Sequence, residues 1–354
     1  MSRKKYIFIV LCIALFIGDV LSYNVIPLHV WSSINIVGIL LVAMLISLLI
    51  VNRLLKKSHW YKEMFVDYYH QTYPDNVWYR EHEERNFDVV ALGSSAAKYA
   101  YDFTDVGIKG MNWAQQPQTL HDDFKLFKSF HSILHKKSTV LINIMPFSSC
   151  DKDTHLMDTY KYLGVYYERQ YFDSRFYEKA LLYQKFPILF RKTAIKAFLH
   201  YIKGNDKPKT IHPLKQQMDE QSLKADAEHF INGWKRQFGI SDFDAPLTQR
   251  NSEGRARRLQ TMRALIDFIT EREYTPVFVI PPVTRHLSTF YTKTFKETYI
   301  YSFINEINRN VKLLDYSDNE ELQNDRLYFN SFFLNKVGAK EFTARVLTDL
   351  KLIK

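Results

Sequence analysis

Apolar and polar positions change their rhythm three times along this chain. After a basic start, residues 6–21 are almost wholly apolar, and a second apolar run over residues 34–51 ends in Asn52, Arg53, Leu54, Leu55, Lys56 and Lys57. Each run is about long enough to cross the hydrocarbon of a bilayer. Residues 57–85 are polar, aromatic and charged, which suits a linker or juxtamembrane helix. From Phe87 onward, short β-branched runs alternate with amphipathic stretches. This predicts strands over residues 88–92, 108–113, 139–145, 276–280 and 311–316, with helices over 120–134, 251–273 and 289–310. Thr119 and Asp122 have the spacing of a capping box at the start of the first of these helices.

Alternating strands and helices make a parallel sheet with right-handed crossovers, so the expected class is α/β, a three-layer αβα sandwich with a five-stranded parallel sheet. Two transmembrane helices precede it and a helical insertion interrupts it. The expected divisions are a transmembrane hairpin over residues 1–57, with spans at about 6–22 and 34–52, a juxtamembrane linker over 58–86, and a domain over 87–354. The insertion covers about 148–247, with tyrosine, phenylalanine and leucine at helical spacing over 161–201 and a polar loop over 204–213. Such an insertion reads as a lid, or as a subdomain packed on the core or lying against the bilayer.

Between the two apolar runs, residues 23–33 contain Pro27 and Trp31 but no lysine or arginine, as in a short outer hairpin. Basic residues flank the outer ends of both runs, so the positive-inside rule places the N-terminus and the domain in the cytoplasm. Two alternatives stand: residues 1–22 also have the form of a cleaved signal peptide, and the domain is extracytoplasmic if only one run spans.

The net charge of +10 belongs to scattered basic residues without a nucleic-acid-binding signature, and attraction to anionic lipid accounts for it better. A 46% hydrophobic, 15% aromatic composition excludes a disordered chain. The two cysteines, Cys12 and Cys150, lie far apart and predict no disulfide; Cys150 reads as a small core residue ahead of a catalytic thiol. No spacing of histidine, cysteine and carboxylate suggests a metal, no glycine-rich phosphate loop follows a strand, and no cofactor is expected.

The chemistry concentrates in residues 87–97, F-D-V-V-A-L-G-S-S-A-A. An apolar strand runs into a small-residue turn, where Gly93 lets the chain double back and Ser94 or Ser95 falls at the carboxyl end of the strand. Open α/β sheets bind ligands at that edge. A serine there becomes a nucleophile when a base is beside it; a tight turn, however, also needs small residues for purely steric reasons.

This turn, the five-strand alternation, the I-P-P-V run at residues 280–283 and the closing F-L-N-K-V-G-A at 333–339 resemble the SGNH, or GDSL-type, hydrolase superfamily. Its membrane-anchored bacterial branch, which includes the D-alanyl-lipoteichoic-acid transfer protein and surface-polysaccharide acylation proteins, is the nearer likeness. The resemblance implies a flavodoxin-like sandwich and places the nucleophile at Ser95, with Ser94, Asn112, Asn143, Asn330 and Phe333 at or near the binding positions. The family's closing pattern D-x-x-H-L-N-x-x-G lies over residues 330–338, so Asn330 replaces the aspartate and Phe333 the histidine. A phenyl ring accepts no proton and an amide does not stabilise an imidazolium as a carboxylate does. Pro117, at the oxyanion glycine's position, has no N–H to donate. His286, after the I-P-P-V strand, is the best substitute base, and His121 the next.

Removing the base of such a triad costs about four to six powers of ten in rate. The expected protein is therefore a membrane-anchored SGNH-like member of a cell-envelope or surface-glycan pathway that binds or scaffolds. The alternatives are an active serine esterase or O-acyltransferase using Ser95 and His286, and a purely structural membrane partner. The expected partners are the lipid bilayer, a membrane-bound O-acyltransferase or glycosyltransferase, and an acylated glycan.

Overall fold

The computed structural model describes residues 28–65, 87–115, 118–150, 162, 174–207, 216 and 218–354; for 28–34, 63–65 and 174–175 it describes the backbone alone. The chain divides into two compact units, Met1–Ser58 with Phe186–Asp206, and His59–Lys185 with Lys207–Lys354.

The first unit holds helix α1 (Leu28–Leu55). Its stretch Asn35–Leu55 has a mean hydropathy of 2.5 and, among the described residues, is the one helical segment long and apolar enough to cross a membrane. Residues 28–33, expected in the outer hairpin, are helical, and residues 23–27 of that hairpin lie outside the described residues. The first expected span, residues 6–22, lies outside the described residues.

The second unit opens with α2 (His59–Phe65) and holds a five-stranded, all-parallel sheet: β1 (Phe87–Leu92), β2 (Gly110–Asn112), β3 (Leu134–Asn143), β4 (Thr275–Ile280) and β5 (Lys312–Asp315), in the order β2-β1-β3-β4-β5. All five predicted strands are present. In β1 the side chains alternate between two buried faces, as a parallel sheet covered on both sides requires. Val90 and Leu92 join Val140, Ile142, Phe278 and Ile280 on one face. That face is covered by α4 (Leu120–Phe130), α8 (Gln249–Glu271) and α11 (Ser302–Ile307), with Phe127, Phe130, Leu265, Ile269 and Phe303 against the strands. Val89 and Ala91 join Leu141, Val277 and Val279 on the other face, under α3 (Ser95–Ala100) and α12 (Lys336–Asp349). Each fully buried leucine or phenylalanine in these layers contributes roughly 1.5–3 kcal/mol.

The capping box forms as predicted: Thr119 Oγ1 accepts from the Asp122 amide, and the Asp122 carboxylate accepts from the Thr119 amide. The helix expected over 289–310 is present as a continuous run, α10 (Lys293–Lys296), a π-helical turn over Glu297–Tyr301 and α11, and the short α9 (Arg285–Ser288) precedes it. Thr284 and Thr292 each cap a new start, and Arg255 on α8 ties down the π turn through Thr298 O (2.9 Å), Ser302 Oγ (2.7 Å) and Glu306 (2.8 Å). The described residues of the insertion are largely helical. They carry α5 (Ser174–Lys185) and α7 (Glu220–Phe238) in this unit, and α6 (Lys192–Ile202) in the first unit.

Candidate functional site

After β1 the chain crosses to β2 on one side and later to β3 on the other, so the strand order reverses between β1 and β3. Ligands bind open α/β sheets outside the carboxyl ends of the strands at such a reversal. A cavity of about 340 Å³ lies there. Its floor is the turn Gly93-Ser94-Ser95 with Asn143 and Met145 from the end of β3, and its walls include Asp123 of α4, Arg258 of α8, and Trp234, Gln237 and Phe238 of α7.

Local sequence explains the turn. Gly93 has φ +143°, and a Cβ on it would stand 2.8 Å from the Ala97 Cβ and 3.1 Å from the Asn143 Cβ. The chain reverses there only without a side chain. Ser94 is the residue before α3; its Oγ accepts from the Gln118 amide at 3.3 Å. Ser95 opens α3, lines the cavity, and its hydroxyl is bonded by no side chain among the described residues.

Beneath the turn lies a polar network that periodicity alone does not show. The buried Asp123 accepts from the Gly93 amide (2.9 Å) and from Gln118 Nε2 (2.6 Å), while Gln118 Oε1 accepts from Tyr162 Oη (2.9 Å). Burial pushes the Asp123 carboxyl up to about 7; the hydrogen bond from Gln118 opposes the shift, Asp122 adds to it, and the Gly93 amide and Arg258 lower it. A buried carboxyl group shifted in this way in a cavity wall is a candidate site residue, and here it also holds the serine turn through the Gly93 amide.

The residues named from sequence have different fates. Ser94, Ser95 and Asn143 meet in the cavity. Asn143 is committed to structure there, donating to Leu92 O (2.8 Å) and accepting from Tyr101 Oη (2.8 Å). Asn112 lies outside the cavity lining; it holds the carbonyls of Ala97 and Lys98 at the end of α3 and accepts from the Ala114 amide. Asn330 closes its own turn, accepting from the amides of Phe332 (3.0 Å) and Phe333 (2.7 Å). Phe333 packs among Tyr99, Phe230, Phe329 and Phe332, and it is the neighbouring Phe332 that reaches the cavity. His286 is buried, and its Nε2 sits 3.0 Å from Asp325 Oδ2; it is not among the residues lining the cavity. His121 is exposed on α4 and meets Thr261 Oγ1 at 3.2 Å. Pro117 lies outside the described residues.

The parts of the closing motif that agree with the family pattern seat the last helix. Asn335 Oδ1 caps α12 by accepting from Val337 and Gly338, and its Nδ2 donates to Arg326 O and Tyr328 O. Gly338 lies so close to Leu327 that a Cβ would fall 2.1 Å from its carbonyl oxygen.

Sequence reasoning missed Asp123, Arg258, Trp234, Gln237 and Phe238. The first two carried a signal. Asp123 falls on the helical face of Leu120, Leu126, Phe127 and Phe130, and Arg258 on that of Met262, Leu265 and Ile269, where a charge is anomalous. The described residues contain no group of histidine, cysteine and carboxylate side chains able to hold a metal ion.

Fold and site define an α/β protein with a parallel sheet and a ligand-sized cavity at its strand-order reversal. No protein-family model matches the sequence, and no curated protein does.

Proposed function

We propose that this is a membrane-anchored SGNH-like protein of a cell-envelope or surface-glycan pathway, which binds an acylated glycan in the Ser94–Ser95 cavity without serine-triad hydrolysis. One observation carries this reading. The cavity brings the serine turn together with Trp234, Phe238 and Phe332, and no histidine is among the described residues that line it. Aromatic walls with a few polar groups suit a ligand that is part apolar acyl chain and part hydroxylated ring. The 2-1-3-4-5 strand order supports the flavodoxin-like type within the α/β class. Asparagine and phenylalanine at positions 330 and 333 support the loss of the standard acid and base.

The anchor is read as two spans with the domain in the cytoplasm, and α1 supports the second of them. A membrane-bound O-acyltransferase or glycosyltransferase is the partner class for such a module. A reporter fused after Lys354 is expected to behave as cytoplasmic; an extracytoplasmic signal refutes that topology.

The test of function is a pair of measurements on the purified full chain. Titration with O-acetylated oligosaccharide is expected to give saturable binding that Trp234→Ala weakens at least tenfold. Hydrolysis of an aryl ester is expected to be equal for the wild type and Ser95→Ala. Ser95-dependent turnover would instead establish the second reading, an esterase or O-acyltransferase acting on acylated glycans. The His286–Asp325 bond favours that reading, since a histidine held by a carboxylate is the base of a triad.

A further inference from the structure

We propose that α6, inside the insertion, carries a binding site for the surface of an anionic phospholipid bilayer. The inference rests on the reading of α1 as a membrane span and extends it to a second element.

Helix α6 packs against α1 within the first unit. Its buried positions are Ala194 and Ala197, small residues that let two helices approach closely. At 100° per residue, Ile195, Leu199 and Ile202 form a separate stripe beside that seam, and all three are exposed, at 47%, 43% and 54%. Leu189 and Phe190, in the turn before the helix, are exposed as well and lengthen the apolar patch. A soluble surface seldom arrays aliphatic side chains in this way without something to cover them.

Charge identifies the cover. Residues 186–205 contain no aspartate or glutamate, while Arg191, Lys192, Lys196 and Lys203 are all basic. Helical spacing sets Lys192, Lys196 and Lys203 along one flank of the stripe, where their stems border it and their ammonium groups reach past it. An aliphatic face edged by lysines is the form of a helix lying in the headgroup region of an anionic leaflet.

Continuity with the span points the same way. Among the described side chains of α1, full burial is confined to its C-terminal turns, with Asn52 and Leu55 covered and, Leu48 apart, the large apolar residues from Ile36 to Ile50 exposed. The covered Asn52 and Leu55 lie beside Arg53, Lys56 and Lys57 in the sequence, the basic flank where a span meets headgroups. One helix crosses the hydrocarbon and the other lies along its edge, and their basic residues share one surface.

Spin-label depth measurement on the full chain in nanodiscs tests this, with both native cysteines replaced by serine. A nitroxide at Leu199→Cys or Ile202→Cys reads α6, and one at Met44→Cys reads α1. In phosphatidylcholine containing about a third phosphatidylglycerol, the α6 labels are expected at shallow hydrocarbon depth, open to oxygen and shielded from a water-soluble relaxant. In pure phosphatidylcholine they are expected to move into water, as they are in the anionic discs after Lys192→Glu, Lys196→Glu and Lys203→Glu. Water-exposed α6 labels beside a membrane-embedded Met44 label would overturn the inference and leave the span intact. Water exposure at all positions would overturn both. Labels shielded from both relaxants would show a protein contact, and equal depth in neutral lipid would remove the anionic requirement; either result overturns the site as stated.

Discussion

The ring of Phe333 stands 4.9 Å from the ring of Tyr99, one turn along the helix that Ser95 opens. The position that the family resemblance gives to a proton acceptor is here spent on packing. Phe333→Ala should therefore lower unfolding free energy by about 3–5 kcal/mol, read from chemical denaturation. Phe333→His combined with Asn330→Asp should leave aryl-ester turnover at background, because the ring at 333 faces an aromatic cluster rather than the cavity. Measurable turnover in the double variant would refute this.

Gly93→Ala should destabilise the protein by about 1–3 kcal/mol for the positive φ alone, with the Ala97 and Asn143 contacts adding to it. Its sharper signature is at the site. Moving the turn displaces the amide that Asp123 holds, so ligand affinity should fall even under conditions where circular dichroism reports a folded chain. Wild-type affinity in Gly93→Ala would show that the turn does not shape the cavity.

Asp123 predicts a pH dependence of definite sign. Its folded carboxyl titrates near 7, above the ordinary value of about 3.9, so between those values the folded state holds a proton that the unfolded state has released. Stability contributed by this group should fall as pH rises from about 4 to about 7, by a few kcal/mol, and level off above that. Asp123→Asn keeps an acceptor for Gly93 and Gln118 and has no charge to desolvate. Its thermal midpoint should lose the slope over that window and exceed that of the wild type at pH 8; an unchanged slope would assign the titration elsewhere.

Cys150 is 2% exposed, and its wall of the cavity offers a reporter. A small maleimide should modify it at least tenfold more slowly in the folded chain than in denaturant, and cavity ligand should slow it further, as read by peptide mass spectrometry. Modification at equal rates with and without ligand would place the ligand elsewhere.

The strands were legible because β-branched runs such as Asp88–Leu92 and 276–280 are buried on both faces, and that composition has few other outcomes. The Ser94–Ser95 turn was legible for a related reason, since glycine between a strand and small residues has one common use. The π turn within the helix after Thr292 was not, because the Arg255 side chain that bonds it comes from over forty residues upstream. The cavity wall was half legible: Asp123 and Arg258 sit as charges on apolar helical faces, a visible anomaly. Trp234 and Phe238 look like any amphipathic core positions until α7 is seen folded over the serine turn. His286 was legible as a candidate base, but its partner Asp325 was not, since no local pattern reveals it.

The roof over the serine turn comes from α7, a segment spliced between β3 and β4 that gives no strand to the sheet. It is fastened by Asp226, whose carboxylate takes both the amide and the hydroxyl of Ser331 (2.9 and 2.5 Å). The aromatic roof and the strand framework thereby come from different stretches of the chain. Substitutions at Trp234 or Gln237 can re-tailor what the chamber accepts while the strand framework, encoded before and after, is inherited unchanged.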